Sequence, residues 1–294
     1  MNKTLSILIC LLPFFLHSCN TSGERGESYT YGDAKVLADE SLFPVVDDEA
    51  VVFNSRYKRA HIDMVYKPQQ EVLNMLLNDS ASIAVLPRML TEEEASTFEK
   101  KKVRVRPIKF ATDGIGIITS NDNPLQNITL QELKDFLSGK ADHSPVIVFD
   151  NVKSSTVEYL MDHFDVKELT AKNIYALNTS EEVIRYIKNN KNAVGIISVS
   201  WIKRPTKEIE EDVKGIKFVA VKNNVGNYVL PTQSSLKTKE YPLTRDLYLI
   251  DCQGKAGLGT GFAAFLASDI GQRVILKSGL APDSLPSRQI IIKK

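Results

Sequence analysis

Residues 113–140 read DGIGIITSNDNPLQNITLQELKDFLSGK, and the clearest structural pattern of the chain lies here. Residues 114–119 are glycine or β-branched, which indicates a strand. The polar run that follows, NDNP, is typical of a turn. Thr129 and Glu132 then form a capping box, which predicts a helix over residues 133–138. A strand, a turn and a helix in direct succession indicate an α/β unit.

The same alternation continues on both sides of this stretch. Strand-like and helical segments alternate upstream at residues 34–38, 44–57, 61–66, 68–78 and 83–86. Thr91 and Glu94 form a second capping box, which predicts a helix over residues 95–101. Further strand-like runs lie at residues 103–110, 146–149, 193–198, 218–221 and 247–250. Residues 259–277 predict one long closing helix. The pattern predicts an α/β fold with parallel strands, and this many strands divide naturally into two lobes.

The N-terminal sequence MNKTLSILICLLPFFLHSC has the organisation of an export signal. A single lysine precedes an apolar run over residues 5–16, shorter than the roughly 20 residues that a membrane-spanning helix needs. The ending resembles a bacterial lipobox, although His17 departs from the usual small residue; an ordinary signal with an incidental cysteine is the alternative. We therefore predict a signal peptide at residues 1–18, lipidation of Cys19 and a polar tether over residues 19–30.

The charge balance argues against a nucleic-acid partner. The sequence has 37 Lys and Arg against 36 Asp and Glu, and removal of residues 1–18 takes away Lys3, leaving 36 of each sign. Such a chain has no broad field that attracts nucleic acid, so any anion affinity must come from a local arrangement of groups. With Cys19 acylated, Cys252 is the remaining thiol, so we expect no disulfide and interpret Cys252 as a small buried residue.

Hydroxyl side chains follow two of the predicted strands. Ser154, Ser155 and Thr156 stand between the strand at residues 146–149 and an apolar-striped helix. Hydroxyls at a helix start commonly cap free N–H groups, whereas the same N–H groups and the positive end of the helix dipole also make an anion site. The residues alone leave both uses open.

Ser41 and Arg88 also follow predicted strands. Ser41 lies just before the helix at residues 44–57 and can present its hydroxyl to a cleft. Arg88 follows the strand at residues 83–86, and ligands of open α/β sheets collect beyond the carboxyl ends of strands. An exposed arginine without a ligand is the alternative for Arg88.

The sequence does not contain the residue spacings of the common catalytic motifs. His61, His143 and His163 are not in H-E-x-x-H spacing, and no G-x-S-x-G elbow accompanies them. The glycine-rich residues 254–261 do not have the order of a Walker A loop, and no spacing of carboxylates and thiolate supports a metal site. We therefore expect no enzyme, no cofactor and no metal; a secreted hydrolase is the least favoured alternative.

Several segments together resemble the type 2 periplasmic binding-protein superfamily, specifically its PstS-like phosphate-binding lipoproteins. Residues 113–140 are similar to that family's first lobe crossing, and residues 193–197 to its glycine-centred strand. Residues 241–248 and 267–272 resemble its late strand and closing helix. The resemblance implies two lobes, each a mixed sheet flanked by helices, with the ligand cleft between them.

The resemblance also implies domain boundaries and a site. Lobe 1 would comprise residues 31–111 and 247–294, and lobe 2 residues 112–246. In that family, strand-to-helix loops hold phosphate between the lobes. The hydroxyl of the family's first loop corresponds to Ser41, and its Ser-Gly-Thr corresponds to Ser154, Ser155 and Thr156.

Three positions depart from the family pattern. Asp150 stands where the family has arginine, Ser155 replaces its glycine, and Ser82 replaces its acidic acceptor. A carboxylate acceptor distinguishes protonated phosphate from sulfate by taking its hydrogen, so this loss weakens the expectation of phosphate. Lys153 or Arg88 would restore positive charge.

The sequence thus predicts an exported, lipid-anchored protein of the bacterial cell envelope. Its expected role is to capture phosphate or a similar oxyanion for an ABC-type uptake system, with a transporter permease as partner and hinge closure over the solute. The alternative is a divergent scaffold that has lost its anion site and acts as an envelope interaction or accessory protein.

Overall fold

The computed structural model describes residues 28–140, 145–169 and 171–285. The predicted signal peptide, the lipidation site Cys19 and most of the predicted tether lie outside the described residues. No helix within the described ranges is both long enough and apolar enough to cross a membrane.

Thirteen strands and eleven α-helices make up the described part of the chain. The strands are β1 Gly32–Asp39, β2 Ala60–Lys67, β3 Ile83–Leu86, β4 Arg106–Ser120, β5 Asn127–Ile128, β6 Val146–Phe149, β7 Ile174–Ala176, β8 Ala193–Ser198, β9 Ile216–Phe218, β10 Ala220–Lys222, β11 Tyr228–Val229, β12 Thr244–Asp251 and β13 Ala281–Pro282. The helices are α1 Phe43–Arg56, α2 Gln69–Leu77, α3 Glu92–Lys100, α4 Leu130–Leu137, α5 Ser155–Phe164, α6 Ser180–Asn189, α7 Ser200–Lys203, α8 Glu210–Val213, α9 Gln233–Lys237, α10 Leu258–Leu266 and α11 Asp269–Lys277.

One long strand joins two halves of a mixed sheet whose main order is β2-β1-β3-β12-β4-β8-β6-β7. The first part of β4 pairs with β12, and from Ile115 onward β4 pairs with β8. We call the strands on the β12 side the first half-sheet and those on the β8 side the second half-sheet. β1, β2 and β3 are parallel in the first, β6, β7 and β8 in the second, and β12 and β4 run antiparallel to their neighbours. The mixed α/β fold predicted from the sequence is thus confirmed.

The change of partner along β4 corrects one sequence expectation. The sequence predicts separate strands at residues 103–110 and 114–119, with Thr112 and Asp113 between them. Both residues stay in the ladder, paired with Asp246 and Arg245 of β12, so β4 is continuous. The lobe boundaries themselves remain a prediction.

The predicted closing helix at residues 259–277 is wrong as a single element. It is two helices, α10 and α11, with a break at Ala267 and Ser268. The Ser268 side chain accepts a hydrogen bond from Gly271 N at 3.4 Å and so caps α11. An N-cap needs extended backbone, which interrupts an otherwise continuous apolar stripe. Both predicted capping boxes, at Thr91 and Thr129, are present.

A glycine in the second half-sheet permits a close approach of α6 to β8. A Cβ on Gly195 would lie 2.7 Å from Ile187 Cγ1 and 2.9 Å from Ile118 Cγ1, and both isoleucines are fully buried. We expect Gly195→Ala to lower the free energy of unfolding by about 1–3 kcal/mol, because overpacking forces neighbours out of their rotamers. Urea denaturation measures this; Gly215→Ala, whose Cβ would meet the flexible Lys188 side chain, is the control. Equal effects of the two would contradict the packing argument.

Candidate functional site

Two loops, one from each half-sheet, meet through their serine hydroxyls. The loop after β1 carries Ser41, and the loop after β6 leads to Ser155 at the start of α5. The two Oγ atoms lie 3.1 Å apart, and both residues are buried. Parallel strands end at the same edge of their half-sheet, so this contact marks where the carboxyl ends of both halves converge.

An aspartate at the end of β1 accepts hydrogen bonds from both hydroxyls. Ser155 Oγ donates to Asp39 Oδ1 at 2.7 Å, and Ser41 Oγ donates to the same oxygen. The Ser41 N–H also donates to it at 3.1 Å, which makes Asp39 the cap of the 3-10 turn Glu40–Leu42. Asp39 is fully buried, yet its Oδ2 has no hydrogen-bond partner among the described residues.

A buried arginine from β12 completes the group. Arg245 Nη1 donates to Ser155 Oγ at 2.7 Å and Nη2 to Ser41 Oγ at 2.9 Å, while Nε donates to Asp113 Oδ2 at 3.0 Å. Arg245 is 4% exposed and lies opposite Asp113 in the β12–β4 ladder. We call Asp39, Ser41, Ser155 and Arg245 the site cluster; Asp113 orients its guanidinium.

Two further acidic residues lie beside the site cluster around one hydroxyl. Ser180 Oγ is 3.3 Å from Glu40 Oε2 and 3.5 Å from Asp150 Oδ2. Burial, with the nearby charges of Asp150 and Asp39, raises the pKa of Glu40 to about 8. Burial likewise raises the pKa of Asp150 to about 6, although hydrogen bonds from Ser154 and the Asn151 N–H oppose the shift.

The three predicted hydroxyls at the start of α5 have different surroundings. Ser154 caps the helix, since its side chain accepts from Val157 N at 3.3 Å. Ser155 belongs to the site cluster. Thr156 is fully buried, and its Oγ1 has no hydrogen-bond partner in the described part of the chain. Of the two uses that the sequence left open, capping is observed at Ser154, and anion binding by Ser155 stays a prediction.

The two predicted cations lie away from the site cluster. Arg88 forms ion pairs of 2.8 Å with Glu94 and Glu158, at a cavity of about 340 Å³ that Ser155 and Arg245 also line. Lys153 is 54% exposed, and its Nζ lies 3.9 Å from Glu71 Oε1. The positive charge in contact with the hydroxyls is that of Arg245.

Sequence reasoning did not single out Asp39 or Arg245 as site residues. Asp39 directly follows the predicted strand at residues 34–38, and Arg245 lies in the segment 241–248 that resembles the family's late strand. The signal that could have identified them is a charged residue at a strand position whose neighbours on the same face are apolar. Arg245, for example, lies on the same face as Leu243 and Leu247, where the alternation predicts a buried side chain. Such a residue needs a buried partner of opposite charge.

Comparisons with known proteins agree with this architecture. A family model described as a PBP superfamily domain matches residues 23–269. The phosphate-binding protein PstS of Borreliella burgdorferi is 23% identical over 301 residues, covering 95% of this chain and 98% of its own. PstS of Staphylococcus saprophyticus is 21% identical, covering 85% of this chain and 80% of its own.

A solved structure gives the same fold. A phosphate ABC transporter substrate-binding protein from Clostridium perfringens, solved with bound phosphate, superimposes with a TM-score of 0.72. The two chains are 21% identical, and the match covers 86% of this chain and 100% of the other. At this identity the likeness establishes the fold.

Proposed function

The chain belongs to the family described as the PBP superfamily domain. From that membership we propose that it is an extracytoplasmic solute-binding protein that captures phosphate between two lobes. The family is one of binding proteins, so the chain is not an enzyme. The relatives named for phosphate binding support phosphate as the solute.

The observation that carries the proposal is a buried arginine that donates to hydroxyls from both half-sheets. Arg245 reaches Ser41 and Ser155 at 2.9 and 2.7 Å. A tetrahedral oxyanion entering between these groups accepts from the guanidinium and from both hydroxyls, which then turn away from Asp39. Charge-assisted hydrogen bonds of this kind are about twice as strong as neutral ones.

The same group compensates for the departures from the family pattern. Asp150 replaces the family's arginine after β6, and Arg245 of β12 supplies the cation instead. Asp39, after β1, supplies a carboxylate in place of the acceptor missing at Ser82. Because a carboxylate only accepts hydrogen bonds, Asp39 favours a phosphate that still carries a proton over fully ionised sulfate.

The proposal includes the two lobes, the lipid anchor and the transporter partner that the sequence predicts. Residues 31–111 with 247–294, and residues 112–246, are proposed as lobes 1 and 2. Lipid on Cys19 holds the protein at the bacterial cell envelope, and an ABC transporter permease receives the solute. Arg88 and Lys153 lie at the mouth of the proposed cleft, where carboxylates already face both cations, whereas the site cluster makes the direct contacts.

Calorimetric titration of the purified protein with phosphate and sulfate tests the function. We expect binding of phosphate, weaker binding of sulfate, and an increase in Kd of about tenfold for Ser41→Ala and for Ser155→Ala, because each removes one hydrogen bond to a charged group. Ser96→Ala, at a half-buried position of α3 that has no contact with the site cluster, is the matched control and leaves Kd unchanged. Absence of heat and of a thermal shift at millimolar phosphate would contradict the proposal.

One observation favours a second role as an envelope interaction protein. Asp39 Oδ1 already accepts from both site hydroxyls, so the structure fills the anion position with its own carboxylate. In that case phosphate produces no heat, and an envelope protein captured from solubilised membranes is retained equally by wild type and Ser155→Ala. Binding of phosphate that depends on Ser155 contradicts this second role.

A further inference from the structure

The acidic side of the site cluster has carboxylates without enough hydrogen-bond donors. A cavity of about 310 Å³ there is lined by Asp39, Glu40 and Glu71, with Lys67 as the cation among its lining residues. Inorganic phosphate bound by Arg245 does not explain this cavity, because carboxylates repel an anion. The cavity therefore requires another account.

Asp39, Glu40 and Asp150 have more acceptor oxygens than the hydrogen-bond donors around them can satisfy. Asp39 Oδ2 has no partner among the described residues, although Asp39 is fully buried. Within the described part of the chain, Glu40 receives only the Ser180 N–H and hydroxyl, at 3.4 and 3.3 Å. The same hydroxyl is 3.5 Å from Asp150 Oδ2, and it has one hydrogen to donate. Buried acceptors left in this way cost free energy that a ligand with several donors recovers.

The shortage of hydrogen-bond donors also affects the protonation state of Glu40. With its pKa near 8, Glu40 keeps its proton at neutral pH in the empty protein. A cation beside Glu40 stabilises the carboxylate, so binding of a cation near pH 7 releases that proton.

We propose that the solute carries an ammonium group next to its oxyanion, as an aminoalkyl phosphate or phosphonate does. The inference rests on the proposed function and deepens it: the oxyanion binds Arg245 and Ser155, and the ammonium enters the acidic cavity. Ser41 connects the two ends, because it receives a hydrogen bond from Arg245 and also lines the acidic cavity.

An ammonium group fits this cavity better than a metal ion. It has three donors and no acceptor, which matches the unpaired Asp39 Oδ2 and the weakly bonded Glu40. Across residues 28–140, 145–169 and 171–285, no group of three His, Cys, Asp or Glu is placed to hold a metal ion.

Calorimetry with three probes tests the inference: inorganic phosphate, ethyl phosphate and phosphoethanolamine, which differs from ethyl phosphate by its ammonium group. We expect phosphoethanolamine to bind about tenfold more tightly than ethyl phosphate, as a charge-assisted hydrogen bond predicts. Titration in HEPES and in Tris at pH 7.5 is expected to show greater proton release for phosphoethanolamine than for ethyl phosphate.

Glu40→Gln removes the charge and keeps the shape. We expect this variant to lose the preference for phosphoethanolamine and the extra proton release, while the Kd for phosphate stays within about twofold, since the amide removes only the ammonium partner. Glu211→Gln, on the exposed surface, is the matched control and keeps both.

The outcomes separate the two proposals. Phosphate binding without a preference for phosphoethanolamine overturns the inference and leaves the proposed function standing. An unchanged preference in Glu40→Gln, with its melting temperature intact, also overturns the inference. Absence of heat with all three probes contradicts the proposed function itself.

Discussion

Arg245→Met is expected to raise the Kd for phosphate by at least about 100-fold, because it removes two charge-assisted hydrogen bonds from the site cluster. The same change is expected to lower the free energy of unfolding by about 3–5 kcal/mol. Asp113 is fully buried and loses its only cationic partner in the described structure, the guanidinium at 2.9–3.0 Å. Calorimetry and urea denaturation measure the two effects.

A second variant separates binding from stability. In the double variant Asp113→Asn, Arg245→Met the charge at position 113 is removed together with its partner, so much of the stability lost through Asp113 is expected to return. Phosphate binding is expected to stay lost, since the cation is still absent. Binding restored in the double variant would show that Arg245 acts only through folding, and normal binding in Arg245→Met would remove Arg245 from the site.

Much of the fold was predictable because its signals are local. The helix starts at Thr91 and Thr129 depend on a hydroxyl and a carboxylate three residues apart, and both boxes form as predicted. The break at Ser268 also has a local signal, an N-cap serine followed by aspartate, which the apolar stripe around it obscured. Where capping and periodicity disagree, the cap decides where a helix begins.

The site was less predictable because its contacts join distant residues. The Arg245–Asp113 pair spans 132 positions and exists because β12 and β4 pair in one register. The Ser41–Ser155 contact spans 114 positions and joins loops of different half-sheets. A sequence indicates that each residue follows a strand, but which strand ends meet depends on strand order and pairing. The hydroxyls were therefore predictable as candidates, and their cation and carboxylate were not.

Glu49 gives the second large expected effect, a stability that falls as pH rises. Glu49 lies in α1, is fully buried, and neither carboxylate oxygen has a hydrogen-bond partner among the described residues. Burial, with a smaller contribution from Asp48, raises its pKa from 4.5 to about 9. Between these values the folded protein holds a proton that the unfolded chain has lost, so raising the pH favours unfolding.

The expected size follows from the width of that pH window. From pH 5 to pH 8 the free energy of unfolding is expected to fall by roughly 4 kcal/mol through Glu49 alone. Glu40 and Asp150, whose pKa values are raised to about 8 and 6, act in the same direction. Urea denaturation at pH 5, 6, 7 and 8 is expected to show the summed slope of these three groups in the wild type and a slope smaller by roughly half in Glu49→Gln.

The control for this slope is Glu92→Gln, at an exposed position of α3. Glu92→Gln also replaces a glutamate by glutamine, but at an exposed position, so its dependence of unfolding free energy on pH is expected to match that of the wild type. The slope that survives in Glu49→Gln is assigned by adding Glu40→Gln, because burial also raises the pKa of Glu40, to about 8. If Glu49→Gln keeps the full wild-type slope, the buried carboxyl of α1 is paired in solution and the pH dependence originates at Glu40 and Asp150, beside the site cluster.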